Sequence, residues 1–415
     1  MIKDNIQNIP IQKLVQNYTQ HFVKIWLASA VNMPCLGSTY SQKEKLSREN
    51  DLRQLIHILN AKCENQSPHP KKESSIENTF STTFKTILKT LFDFENDQLD
   101  FILSKDFKKA TKLFIKYARN FDPSITLEDL YQACRNVWIM IGIQKMLGLP
   151  IKLTPSLFAY SMLYPYCDNY IDDPNISSDK KNIFNTRLFK RLCGTYIVPS
   201  TPHEKIVYKL VGMIESQYNR SQFPQVFNTL LTIHHAQIKS LHLLENSSSL
   251  SDLDVLNLCI EKGGASVLAD GYLVSGSLTE SQARSLFGYG VYLQFLDDLQ
   301  DVQQDLKNGL STVFSRTSLY GALDACTNRT FQFGNAVMEY IKCFKGQNTD
   351  PFINMIKKSI IILLIKGVSR AVGLYSNAYI RTLETFSPFH FSFLKKHRNS
   401  FSSYRIFMLR TLNEL

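Results

Sequence analysis

Apolar residues recur at three- and four-residue steps along almost the whole of this 415-residue chain, and alternating strand-like stretches are nearly absent. Such a pattern confines the chain to an all-α architecture. Helices are predicted at Ile11 to Leu27, Glu44 to Leu59, Thr79 to Phe94 and Lys105 to Phe121. Cys63 to Ser75, with Pro68 and Pro70, reads as a loop. Thr126 caps a helix running to Leu147, Thr154 with Pro155 starts one running to about Asp173, and Thr279 with Gln282 forms a capping box. Further helices are expected at Thr201 to Tyr218, Pro224 to Leu244, Asp252 to Ser275, Ser318 to Phe344 and Pro351 to Leu383. There is no internal repeat and no linker. The organisation expected is one large helical domain over residues 105–415, preceded by an N-terminal helical extension over residues 1–104.

One of these helices is chemically unusual. Gln294 to Asp305 reads Gln-Phe-Leu-Asp-Asp-Leu-Gln-Asp-Val-Gln-Gln-Asp and holds four carboxylates and no basic residue. Asp297, Asp301 and Asp305 recur every four residues, so a helix stacks them on one side, with Asp298 beside Asp301. Like charges so placed repel by a few tenths of a kcal/mol per pair on an isolated helix. A hard divalent cation is the natural compensation, and all-oxygen ligands suit Mg2+. Asp297 and Asp301 are the first candidate ligands, Asp298 could orient a bound water or a lysine, and Asp305 is expected at the mouth. A solvated acidic face is the plain alternative, opposed by the flanking Tyr292, Leu293, Phe295, Leu296 and Leu299.

A second cluster, Asp168, Asp172 and Asp173, ends the helix that begins at Pro155. Carboxylates at a helix C-terminus oppose the macrodipole, so a function explains them more simply than folding does. The alternative is that Asp172 or Asp173 caps the turn at Asn175 and Ser177. Two acidic helix ends suggest a cavity with an acidic rim, where Mg2+ could clamp a diphosphate and improve it as a leaving group. Phe158, Tyr289, Leu293 and Gly264 lie on the right segments to line its wall, although core packing suits most of them equally. Among basic residues, Lys262 beside Gly263-Gly264 and Arg135 among apolar neighbours are the leading partners for a diphosphate, followed by Arg220, Lys307 and, from the C-terminal helix, Arg381 with Tyr379. The paired glycines cost a helix about 2 kcal/mol against alanine, which predicts a kink or a close ligand approach there.

A net charge of +11 favours anionic partners, yet the basic residues are scattered and no nucleic-acid motif is present, so nucleic acid is not expected. Eight isolated cysteines without a Cys-x-x-Cys pair read as reduced thiols. No apolar signal core or membrane-length segment is seen, which places the protein in the cytoplasm, with peripheral membrane contact to exchange a lipidic ligand. His234, His235 and His242 lack the spacing of a metal site.

Gln294-Phe-Leu-Asp-Asp-Leu-Gln-Asp-Val resembles the second aspartate-rich motif of trans-prenyltransferases, and Asp168-Asn-Tyr-Ile-Asp172-Asp173 resembles the first acidic motif of class I terpene and squalene-type synthases. Lys262-Gly-Gly-Ala is similar to the prenyltransferase segment whose lysine meets diphosphate at a helix break. The resemblance covers residues 125 to 312 and extends to uncharacterised bacterial class I isoprenoid-biosynthesis proteins. It implies the helical bundle of that superfamily with a central apolar cavity, three Mg2+ per site, an allylic prenyl diphosphate substrate and a homodimer. The pattern also departs from each subgroup. There is no Gly-Gly-Lys-Arg segment for a second diphosphate, no Asn, Ser/Thr, Glu triad of terpene cyclases, and no Arg-Asp-x-x-Glu-Asp motif.

The first reading is therefore a Mg2+-dependent terpene synthase, with Asp168, Asp172, Asp173, Asp297, Asp298 and Asp301 at the metals and Lys262 and Arg135 assisting departure of diphosphate. The second is a prenyltransferase joining prenyl units or modifying another acceptor. The third is a non-catalytic helical protein that binds prenyl diphosphates.

Overall fold

The computed structural model describes residues 10–64, 85–173, 175–241, 243, 249–346 and 349–397, and every regular element among them is helical. In chain order the helices are α1 (Ile11–Ala28), α2 (Gln42–Glu64), a π-helical turn (Ile87–Leu91), α3 (Asn96–Leu99), α4 (Lys105–Phe121) and α5 (Leu127–Met146). Then follow α6 (Pro155–Asp172), α7 (Ser178–Leu192), α8 (Pro202–Gln217), α9 (Pro224–Ser240) and α10 (Asp252–Ser275). The chain continues with α11 (Glu280–Asn308), α12 (Val313–Ser318), α13 (Asp324–Tyr340), α14 (Thr349–Arg370), α15 (Asn377–Thr385) and α16 (Phe391–Lys396). The predicted loop from Cys63 and the start of the Thr79 helix fall mostly outside the described residues.

Local chemistry sets the helix starts. The side chains of Ser104, Thr126, Thr154, Thr201, Ser251 and Thr279 each accept a hydrogen bond from a backbone N–H of the first turn, a contribution of about 1 kcal/mol apiece. Gly276 and Gly309 end α10 and α11 in the left-handed conformation that glycine adopts without penalty. Two expectations need correcting. The long helix predicted to Leu383 is broken at Ala371–Ser376, where Val372–Leu374 forms a 3-10 turn and Asp324 accepts from the Ser376 N–H at 3.0 Å. Helix α7 was not anticipated, although Phe184, Leu188 and Leu192 bury one stripe at four-residue steps.

Helices α10 and α11 are the centre of the molecule. α10 is buried on nearly all sides from Val255 to Val274, and it packs on α11, α9, α1, α5 and α6. The glycine pair does not break α10, which runs as one helix from Asp252 to Ser275. What the glycines provide is contact with α11. A Cβ on Gly290 would lie 2.2 Å from the Gly263 carbonyl oxygen, and a Cβ on Gly264 would lie 2.3 Å from the Phe287 ring. No side chain fits at either place, so the backbones touch. Helix α1 joins the same core: Phe22 stacks on Phe287 at 5.8 Å between ring centroids and Trp26 lies 4.3 Å from Phe295. No helix among the described residues is long and apolar enough to cross a membrane.

The helix contact sets a stability prediction. Gly290→Ala should cost about 3 kcal/mol, the upper part of the usual range for overpacking, because a backbone carbonyl blocks the methyl. Gly212→Ala in α8, with open space around its Cβ, should instead stabilise by about 0.5–1 kcal/mol. Urea unfolding of both variants measures this; equal effects would remove the argument that contact with Gly263 decides the outcome.

Candidate functional site

On α11 the four aspartates divide between two faces. Asp297 and Asp301 point to solvent, whereas Asp298 and Asp305 are buried. Helical geometry explains the split. Seven residues are nearly two full turns, so Asp298 and Asp305 share a direction, while eight residues carry Asp305 well past Asp297. Asp305 is therefore not at the mouth, as the four-residue spacing suggested. It accepts a hydrogen bond from Thr312 Oγ1 at 3.4 Å.

The buried pair faces α10. Gln294 Nε2 donates to Asp298 Oδ1 at 2.7 Å, and the Cys259 thiol and Lys262 lie within electrostatic reach of Asp298. Burial pushes the Asp298 carboxyl up to about 8, with Asp305 and Asp297 adding to the rise and Gln294 and Lys262 opposing it. Burial likewise raises Asp305 to about 7, assisted by Asp301 and Asp297. Without a metal ion beside them, these two acids hold their protons to higher pH than an exposed carboxylate does. Lys262 is half-buried on α10 beside both.

Of the exposed pair, Asp297 faces α5 and α6. Arg135 Nη2 donates to Asp297 Oδ1 at 3.2 Å, with the two side chains 58% and 50% exposed. Arg135 is thus a rim residue and not the buried arginine its apolar neighbours suggested, because it occupies the one solvent-facing position between buried Cys134 and Asn136. Tyr164 on α6, half-buried, lies between the two acidic motifs. Burial raises its hydroxyl strongly, with Asp168 and Asp297 adding to the rise and Arg135 opposing it, so the hydroxyl stays protonated. Asp168 accepts from Gln237 Nε2 on α9. One acid from each motif, Asp168 and Asp297, is thereby within electrostatic reach of Tyr164.

Asp173 has a local role that favours its capping alternative. Its Oδ1 accepts from the N–H and the side-chain amide of Asn175 at 2.8 and 2.9 Å, closing an Asx turn after α6. Asp172 ends the helix, and its side chain lies outside the described residues. A cleft of about 320 Å3 opens beside this helix end, lined by Asp122, Asp129, Tyr166, Asn169, Asp173 and His203 among others.

Other predicted residues lie elsewhere. Arg220 donates to Glu215 Oε1 at 2.8 Å and to the Leu192 carbonyl at 2.7 Å, and it covers the Phe227 ring, which ties α7, α8 and α9 together away from the aspartates. Lys307 is exposed in the last turn of α11. Phe158 packs against Phe114 and Phe121, and Gly264 against Phe287, so both serve helix packing. Tyr289 is buried and Leu293 half-buried on the side of α11 towards the core. Tyr379 donates to Asn328 Oδ1 at 2.9 Å inside the core, whereas Arg381 is exposed. His234 bonds the Asn185 carbonyl at 3.1 Å, and burial lowers its imidazole to about 4, which keeps it neutral.

Deeper in the bundle lies a polar group that the motifs did not indicate. Asp270 on α10 is fully buried; its Oδ1 accepts from Asn136 Nδ2 at 3.1 Å, and the same amide donates to Ser161 Oγ at 3.2 Å. The Asp270 Oδ2 atom has no hydrogen-bond partner. Tyr160, Tyr164 and Tyr289 lie within electrostatic reach of it. Burial raises its carboxyl well above the usual range, opposed only by the Asn136 bond. The signal in the sequence was a lone acid inside the apolar run Val267 to Val274.

Among the described residues no group of three or more acidic, histidine or cysteine side chains is arranged to hold a metal ion. Magnesium asks less of a protein, since it usually takes one or two carboxylates and completes its shell with water and phosphate oxygens. Asp297 and Asp301, i and i+4 on the solvent face, fit that donor set, as does Asp168 opposite. Asp298 and Asp305 are buried on the adjoining face of α11.

The state of Asp270 is open to titration. An acid raised in the fold is neutral in both states below about pH 4; above that the unfolded chain releases the proton first, so stability falls by about 1.4 kcal/mol per pH unit until the folded value is reached. Asp270→Asn should match wild type near pH 4 and become progressively more stable than wild type as pH rises. Urea unfolding across that range tests it, and parallel profiles would mean that Asp270 is ionised in the fold.

No protein-family model, curated protein or solved structure matches the chain.

Proposed function

We propose that the chain is a Mg2+-dependent class I terpene synthase, a helical bundle that ionises an allylic prenyl diphosphate and lets the carbocation cyclise or rearrange. One observation carries the reading. Asp168 and Asp297, from two acidic motifs more than a hundred residues apart, both lie within electrostatic reach of Tyr164, and Arg135 pairs with Asp297. Lys262 on α10 lies within electrostatic reach of Asp298 and Asp305, on the adjoining face of α11.

Asp168, Asp297 and Asp301 would hold Mg2+, which when bound supplies positive charge to the diphosphate oxygens and makes them a better leaving group. The protein's own groups would do the rest. Arg135 and Lys262 would donate charge-assisted hydrogen bonds to the departing diphosphate. Tyr164, kept protonated by its surroundings, would donate from its hydroxyl and present its ring to the developing cation. Leu293 and the buried aromatic side chains of α6 and α11 would exclude water from the reacting chain.

Purified protein given Mg2+ and all-trans prenyl diphosphates of increasing length should release diphosphate and form hydrocarbon or alcohol products detectable by mass spectrometry. Asp297→Ala and Asp168→Ala should each lower the rate by at least about 10²-fold, the scale on which preorganised electrostatic groups act. Because Asp297 is exposed, its variant should keep the wild-type unfolding curve. Unchanged diphosphate release in either variant sinks the proposal.

The prenyltransferase-like spacing Asp297-Asp298-x-x-Asp301 favours a second reading, transfer of the prenyl group to an acceptor. A longer diphosphate formed only when isopentenyl diphosphate is added would select it.

A further inference from the structure

The segment between α7 and α8, Gly194-Thr-Tyr-Ile-Val-Pro-Ser-Thr201, carries no charge, yet it presents two of the most exposed apolar side chains among the described residues. Tyr196 is 88% and Val198 67% exposed. An isolated exposed leucine or valine needs no explanation, but a cluster at the apex of a fixed loop does. The loop is fixed from beneath. Arg187 Nη2 donates to the Val198 carbonyl at 2.7 Å while its other contacts go to the buried Glu204, at 2.6 Å from Nε and 3.0 Å from Nη2. The Ser200 N–H and hydroxyl donate to Glu204 Oε2 at 2.6 and 2.8 Å. Glu204, the acidic side chain nearest the loop in sequence, is therefore consumed in holding it. Of the loop's apolar side chains, Ile197 packs inwards against the core while Tyr196 and Val198 face out.

Helix α7 carries one further exposed apolar side chain. Ile183, 59% exposed, shares a stripe with Lys180, Thr186 and Lys190, all exposed, at three- and four-residue spacing. On α8, Lys205 and Lys209 are exposed on the other side of the loop. The exposed charges on these two helices are thus lysines, of which Lys209 lies over the Phe121 ring, with Asp179 the exposed acid in the first turn of α7. An aromatic residue with a polar tip, an aliphatic neighbour and flanking lysines match the layers of a bilayer surface: tyrosine at the headgroup level, valine beneath it and ammonium groups at lipid phosphates.

We propose that the α7–α8 loop is a membrane-docking element that seats Tyr196 and Val198 in the interfacial layer of a bilayer carrying anionic headgroups, with Lys190 and Lys205 held against the lipid phosphates. The contact is peripheral. It rests on this surface alone and not on the proposed reaction.

The test uses the full chain and sedimentation with vesicles. Wild-type protein should bind vesicles of mixed phosphatidylcholine and phosphatidylserine, and binding should weaken with added salt and with phosphatidylcholine alone. The double substitution Tyr196→Ser with Val198→Ser should lower the partition coefficient by about tenfold or more, given the apolar groups removed from the interface. Lys190→Glu with Lys205→Glu should abolish the preference for anionic vesicles. Leu319→Ser with Tyr320→Ser, at the exposed turn after α12, serves as the control and should bind as wild type does. All these positions are exposed, so unchanged far-UV dichroism is expected throughout. Failure of wild-type protein to bind either vesicle, as a surface for a protein partner would give, overturns the proposal. Equal loss in the Leu319/Tyr320 control, or no loss in the Tyr196/Val198 variant, does the same.

Discussion

Backbone contact between α10 and α11 is the constraint from which the rest of the molecule follows. Each of Gly263 and Gly290 meets the other's carbonyl where a Cβ would stand, so two long helices approach without intervening side chains. Such an approach gains dispersion and weak Cα–H···O contacts, and it fixes the register of one helix on the other. With the register fixed, Lys262 comes beside Asp298 and Asp305, and Phe287 is brought under α1. A larger residue at either glycine would move every group on α10 that faces the acidic face of α11.

The second consequence is electrostatic. Because α11 is pressed against α10, any carboxylate on its inner face is stripped of water. Removing an ionised carboxylate from water without a full set of partners costs several kcal/mol, so the group holds a proton instead. Asp298 and Asp305 follow that course, and so does Asp270 two turns deeper along α10. The outer face obeys the opposite rule. Asp297 and Asp301 keep their hydration, and the charge that repels along the helix is met by Arg135 from α5. One helix therefore carries a buried acid face and a solvent-facing one, separated by about a fifth of a turn.

How much of this could be read from the chain depends on the range of the interaction. Helix starts were legible because a threonine or serine hydroxyl and an N–H three residues on are local partners; Thr126, Thr154 and Thr279 cap where their sequence says they should. All-helical character was legible because the apolar period is local too. The acidic motifs were legible as patterns, but the division of α11 into two faces was not, since a four-residue repeat and a seven-residue repeat coexist there and only packing decides which faces inwards. Lys262-Gly-Gly looked like a helix break for the same reason: an isolated helix loses stability at glycine, and the contact with Gly290 that offsets the loss lies about 27 residues along the chain, the distance of a helical hairpin. Arg135 was misjudged by its neighbours in sequence, which are buried, whereas its own direction is not. Asp270 was overlooked because a single acid carries no spacing.

Exposure also decides how the rim would behave towards a ligand. The Arg135–Asp297 pair is 3.2 Å long and open to water on both sides, and such pairs contribute about 0–1 kcal/mol. Separating it costs little. A diphosphate offers Arg135 more negative charge than one carboxylate does, and a divalent cation offers Asp297 more positive charge than one guanidinium does. Both exchanges therefore run in the same direction, and each makes the other easier, because Asp297 released from Arg135 is a free anion and Arg135 released from Asp297 is a free cation. A buried pair in the same place would resist, since separating it leaves charges stranded in a medium that solvates them poorly. Under the proposed reading, the weakness of this salt bridge is what would let metal and diphosphate enter together, while the proton-bearing acids on the inner face would stay out of the exchange and hold α11 in register.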